Sequence, residues 1–108
     1  MNVTSRRSSI FLPVLLAMGI SLVAPGCGSI LYGHWILKAD KAIAQAKVND
    51  AEEFAPYEYT FAVEHQKKAK EEVGYSDFQA AVECAKVATE YGLKAKEIAR
   101  KQKMEAGR

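Results

Sequence analysis

The fold is decided by residues 78–99, which read FQAAVECAKVATEYGLKAKEIA. Small or apolar residues recur in this stretch at alternating spacings of three and four, namely at Phe78, Ala81, Ala85, Ala88, Gly92, Ala95 and Ala99. This spacing keeps them on one face of a helix, so it predicts a long helix with a coiled-coil-like seam. Short seam side chains allow a neighbouring helix to approach at the low end of the usual range of about 8–10 Å. Gly92 in this seam therefore predicts close contact between two backbones.

The segment before this stretch predicts a second helix over residues 56–73. Its seam residues, again three and four apart, are Tyr59, Ala62, Gln66, Ala69 and Val73. Pro56 suits the first position of a helix, and Gly74 suits a left-handed cap at the end. Ser76, followed three residues later by Gln79, predicts a capping box at the start of the last helix. Because the connection is short, these two helices should form an antiparallel hairpin.

A third helical pattern leads the domain and fades near residues 51–53. Its apolar positions are Tyr32, Ile36, Ala39, Ile43 and Ala46. The predicted fold class is all-α, an up-down-up three-helix arrangement with alanine-rich, coiled-coil-like packing. At about 1.5 Å per residue the last helix is longer than the middle one and should protrude. Its protruding apolar stripe is a candidate interaction surface, unless the leading helix covers it: Tyr91, Ala95, Ile98 and Ala99.

The N-terminal region carries the features of an export signal. Arg6 and Arg7 precede an apolar run over residues 10–24, which ends in small residues before Cys27. This layout is typical of a secretory signal peptide, and the position of the cysteine indicates a bacterial lipoprotein. We expect cleavage between Gly26 and Cys27, and lipid attachment at Cys27.

The expected domains are therefore a cleaved signal peptide (1–26), a lipidated tether (27–34) and an alanine-rich helical domain (35–108). Two or more acyl chains would hold the protein stably on a membrane. By resemblance to the sorting rule of Gram-negative lipoproteins, Gly28 in place of aspartate favours the outer membrane, with the domain facing the periplasm. The alternative is an uncleaved single-pass anchor in the inner membrane, because the apolar character continues to Leu37 and reaches the roughly 20 residues that a spanning helix needs. In both cases the arginines would keep the N-terminus cytoplasmic and the domain extracytoplasmic.

Charge and residue types argue against several functional classes. The chain has 15 basic and 13 acidic residues, and removing Arg6 and Arg7 leaves 15 − 2 = 13 of each sign. A neutral domain lacks the electrostatic footprint of a nucleic-acid-binding protein. The two histidines, His34 and His65, are isolated in sequence, and Cys84 on the apolar stripe predicts an inert buried thiol. We therefore expect no enzymatic activity, catalytic residue, metal, cofactor or small-molecule substrate.

Several short motifs carry a family resemblance. They are Ala-Pro-Tyr-Glu-Tyr at residues 55–59, Tyr-Ser-Asp-Phe-Gln-Ala-Ala at 75–81, and the alanines that continue to Ala99. Over roughly residues 38–101 the chain resembles an alanine-rich family of bacterial lipoproteins, the domain-of-unknown-function family 4398. The activity of that family is unassigned. Some members are fused to, or encoded near, peptidoglycan-binding domains of the outer-membrane-protein-A type, but no such domain occurs here, so peptidoglycan binding is not implied.

These observations favour a non-enzymatic envelope lipoprotein, a lipid-anchored helical adaptor or structural protein. Its expected partners are the membrane, through acyl chains on Cys27, and another envelope protein or a second copy of itself. One alternative is a coiled-coil protein that self-associates through the alanine seam. A peptide binder of the tetratricopeptide type is less favoured, since such arrays normally need three or more repeats and residues 55–88 supply one hairpin.

Overall fold

The computed structural model describes residues 13–17 and 27–107, and all of its regular structure is helical. The fold is therefore all-α, as predicted. The described residues form α1 (13–17), α2 (Cys27–Val48), α3 (Ala51–Phe54), α4 (Pro56–Gly74) and α5 (Phe78–Ala106).

The described residues form five helical segments where the sequence predicts three, and the two additional segments are α1 and α3. The additional break falls at Asp50, whose backbone is left-handed with φ 57°, a conformation that does not continue a right-handed helix. Asn49 closes the end of α2 by donating its side-chain amide to the Gln45 carbonyl at 2.7 Å. α2 also begins earlier than expected, so the residues assigned to a tether, 27–34, are helical.

The core consists mainly of alanine. Both α2 and α4 pack along α5, and they contact each other less. Many seam alanines have no exposed surface at all, among them Ala39, Ala46, Ala62, Ala69, Ala81, Ala85, Ala88, Ala95 and Ala99. Within the described residues, no large side chain is completely buried. Stability therefore depends on close helix approach and on aromatic side chains at the margins, such as Phe61, whose ring centre lies 4.2 Å from that of Tyr91.

At Gly92 the backbones of α5 and α2 approach each other closely. A Cβ atom added at Gly92 would lie 2.9 Å from the Ala42 Cβ, 3.1 Å from the Ala42 carbonyl carbon and 3.2 Å from the Ile43 nitrogen. Two of these three atoms belong to the backbone, which moves less readily than the end of a side chain. The close backbone contact predicted at Gly92 is confirmed.

The connection between α4 and α5 corrects two predictions about capping. Gly74 does not adopt the left-handed conformation; Ser76 does, with φ 61°. An N-cap residue typically has a non-helical backbone in the extended region, and the backbone of Asp77 is non-helical (φ −91°, ψ 79°). The Asp77 carboxylate accepts a hydrogen bond from the Ala80 backbone N–H at 3.0 Å, so Asp77 caps α5 in place of the predicted Ser76.

Candidate membrane-attachment site

Cys27, the predicted lipid-attachment residue, is the first residue of α2 and is exposed. Its thiol is free, as is that of Cys84. An exposed sulfur at the start of a helix can be acylated without breaking any core contact. Gly26, on the other side of the predicted cleavage point, lies outside the described residues.

Gly28 holds this helix end against α5. A Cβ at Gly28 would lie 2.8 Å from the Phe78 Cβ and 3.4 Å from its Cγ. A larger residue there would push the start of α2 away from the start of α5. Gly28, the residue that the sorting rule uses, therefore also needs to be small in order to pack against Phe78. Cys27 lies one residue before this contact.

The surroundings of Cys27 are apolar and open. A shallow depression of 510 Å³ is lined by Cys27, Ile30, Leu31 and His34. The Ile30 and Leu31 side chains are 65% and 47% exposed. Two large aliphatic side chains therefore face outward within the first turn after the cysteine.

Trp35 sits at the edge of this apolar region, partly buried against Ile36. The His34 ring meets it edge-on, with the ring centres 5.7 Å apart. Two lysine nitrogens lie over the indole, Lys38 at 4.7 Å and Lys86 at 5.7 Å from the ring centre. This is favourable cation–π geometry, and it places an amphipathic ring and two cations at the boundary between the apolar region and the rest of the domain.

Cys84 lies at the margin of the core, where it is only partly buried. It packs against the cluster of Ile36, Ala69 and Ala85. Burial, and after it the nearby negative charge of Glu72, raise the pKa of the Cys84 thiol. Since only the thiolate is nucleophilic, this environment disfavours reaction at neutral pH.

Of the four residues of the candidate interaction surface on α5, two are buried and two, Tyr91 and Ile98, are partly buried. Ala95 and Ala99 have no exposed surface because Ala46, Ala51 and Ala55 pack on them. Ile98 packs against the same cluster, and the Tyr91 ring stacks on Phe61 as described. The preceding segments, through Ala46, Ala51 and Ala55, therefore cover Ala95 and Ala99 on α5.

The end of α5 is nevertheless exposed over residues 100–107. Lys103 Nζ reaches back to the Asp50 carboxylate at 2.5 Å. The expected protrusion of the last helix is therefore present, but it begins after the apolar stripe.

The sequence interpretation missed a second apolar surface on α2. We call it the outer stripe; it consists of Ile30, Leu37, Ala44 and Val48, all exposed. The spacings of seven and eleven residues between Ile30, Leu37 and Val48 could have revealed it, because both are close to whole turns of a helix.

A groove borders the distal half of the outer stripe. It has a volume of 440 Å³ and is lined by Lys41, Ala44, Gln45, Val48, Asn49, Lys96 and Arg100. Lys96 donates to Gln45 Oε1 at 3.1 Å, and Arg100 lies 3.9 Å from Glu97 outside the groove. In the part of the chain that the structure describes, the groove lining includes three cations and no carboxylate.

Other chemistry-bearing residues are dispersed. His65 Nδ1 lies 2.9 Å from the Phe61 carbonyl oxygen, one turn earlier on α4. Over residues 13–17 and 27–107 there is no cluster of three or more histidine, cysteine or acidic side chains able to bind a metal. None of the helices described combines the length and the apolar character required to cross a bilayer.

Comparison with family models, curated proteins and solved structures gave no significant match. The resemblance to the alanine-rich lipoprotein family therefore remains an expectation from the sequence.

Proposed function

We propose that this chain is a non-enzymatic lipoprotein of the bacterial envelope, anchored through acyl chains on Cys27. The observation that supports this most is the position of Cys27, exposed at the start of α2 and directly after an apolar run that ends in small residues. An anchor at this point would leave the alanine core untouched. The outer membrane, with the domain in the periplasm, is the proposed location; the extracytoplasmic face of the inner membrane is the alternative.

The anchored part would act as a rigid adaptor or structural element. We propose that α2, α4 and α5 form its up-down-up scaffold, with α3 as a corner between the first two. The exposed end of α5, which carries Met104, would be offered to another envelope protein. Self-association through the alanine seam is not proposed, because the seam alanines are covered within one chain.

Metabolic labelling with radioactive palmitate in a Gram-negative host tests the anchor. The unchanged chain and the Cys84→Ala variant should both be labelled and processed, since Cys84 is a matched control thiol that is partly buried within the domain. The Cys27→Ala variant should remain an unlabelled precursor. Label that persists in Cys27→Ala, or a precursor that is still cut in that variant, would overturn the proposal.

A further inference from the structure

The outer stripe of α2 places three large, exposed aliphatic side chains along one side of a helix. Ile30, Leu37 and Val48 are 65%, 69% and 81% exposed. They lie on nearly one line along the helix and span about 27 Å, given a rise of about 1.5 Å per residue. Several large apolar side chains exposed on one side of a helix often mark a contact with a membrane or another protein.

The opposite face of α2 is already used. Ile36, Ala39, Ala42, Ile43 and Ala46 are buried. A surface helix normally buries one apolar stripe and exposes polar residues on the other side. α2 is apolar on both sides, so its outer stripe is not needed for the core of this domain.

The position of the outer stripe favours a bilayer as its occupant. Ile30 is three residues from Cys27, which is about 4.5 Å along the helix axis. Acyl chains on Cys27 would hold the bilayer within one turn of the stripe, and an uncleaved apolar leader ending at residue 24 would do the same.

The charges beside the stripe fit the same occupant. Lys41 interrupts the stripe, and Lys96 and Arg100 line the groove next to Val48. Long cationic side chains can extend to phosphate groups while their stems cover apolar surface, and each adds about 1 kcal/mol of attraction to an anionic leaflet. A second copy bound to the same stripe would instead bring three more cations to this groove. Repulsion between like charges therefore disfavours a second copy as the occupant.

We infer that α2 lies along the membrane surface, with its outer stripe inserted at the boundary of headgroups and acyl chains and with Lys41, Lys96 and Arg100 facing lipid phosphates. The inference rests on the proposed function only for the attachment near Cys27. It assigns α2 two roles, since its inner face holds α5 and its outer face holds the lipid surface. The domain would then lie on the membrane instead of extending from it on a tether.

Quenching of tryptophan fluorescence by brominated lipid tests this orientation. Trp35 is the only tryptophan, so a Trp35→Phe background allows a single probe to be placed. Leu37→Trp and Val48→Trp place it on the outer stripe, and Glu64→Trp places it at an exposed position of α4 as the control. The full chains are reconstituted in phosphatidylethanolamine and phosphatidylglycerol vesicles with bromines on the acyl chains, and palmitate labelling is measured on the same samples.

The Leu37→Trp and Val48→Trp variants should lose fluorescence in brominated vesicles, whereas Glu64→Trp should keep it. If palmitate is attached but the two stripe variants are quenched no more than the control, the inference is wrong and the lipid anchor stands. If the stripe variants are quenched in a chain that carries no palmitate, the surface orientation stands and the lipid anchor is wrong. Unquenched stripe variants combined with a disulfide between copies of a Leu37→Cys chain would assign the stripe to a dimer and overturn the inference.

Discussion

Replacing Gly92 with alanine should destabilise the bundle even though alanine is the better helix former. In a helix interior alanine is favoured over glycine by about 1 kcal/mol. The added Cβ, however, would lie 2.9 Å from the Ala42 Cβ and within 3.2 Å of two α2 backbone atoms. Overpacking of this kind costs about 1–3 kcal/mol, and the backbone contacts favour the upper part of that range, so we expect a net loss of about 1–2 kcal/mol. For a domain of this size, each kcal/mol lowers the melting temperature by about 4–8 °C.

Gly33→Ala is the matched control, because Gly33 is also inside a helix and nothing lies within 4 Å of its added Cβ. This variant should gain about 1 kcal/mol from helix propensity alone. The assay is urea unfolding of the full chain in mild detergent, followed by circular dichroism at about 222 nm, the helical band. The free energy of unfolding should fall in Gly92→Ala and rise in Gly33→Ala. If Gly92→Ala stabilises the protein as much as Gly33→Ala does, the close approach of α2 and α5 is refuted.

Three further predictions concern the caps, the thiol and the aromatic margin. Asp77→Ala should lower the free energy of unfolding by about 1 kcal/mol, because the cap of α5 is lost. Ser76→Gly should raise it by about 1 kcal/mol, because glycine adopts the left-handed backbone without strain. Equal effects of the two variants in urea unfolding would contradict the assignment of the cap. Because burial raises the pKa of Cys84, its contribution to stability is complete below about pH 8.5, the ordinary thiol value, and falls as the pH rises through the raised folded-state pKa. Unfolding measured from neutral to alkaline pH should show this fall, and Cys84→Ala should reduce it. A double-mutant cycle of Phe61→Leu and Tyr91→Leu should give a coupling of about 0.5–1.5 kcal/mol, and additive effects would exclude the ring contact.

The helices and their contacting faces could be predicted from the sequence because both are local properties. Alternating spacings of three and four define the seam wherever they occur, and Pro56 marks the start of α4 without ambiguity. The close contact at Gly92 was also predictable, since a glycine within an alanine seam favours close backbone contact over the alternative of a hinge. For the candidate site, the position of Cys27 after small residues was visible, although its exposure was not.

The remaining features depend on contacts between segments distant in sequence. Whether Ala95 and Ala99 are covered depends on the path of the chain after Asp50, which brings Ala51 and Ala55 onto them. Ser76 and Asp77 are both good capping residues, and the tertiary path of the connection decides which one takes the left-handed conformation. The outer stripe was hidden because α2 is apolar on two faces, which weakens the helical periodicity.

The most direct test of the membrane attachment is the intact mass of the protein extracted from the membranes of its host. We predict a chain that begins at Cys27 and carries the added mass of acyl groups on that residue, with Cys84 unmodified. A chain that begins at Met1 and has a free thiol at Cys27 would contradict the account.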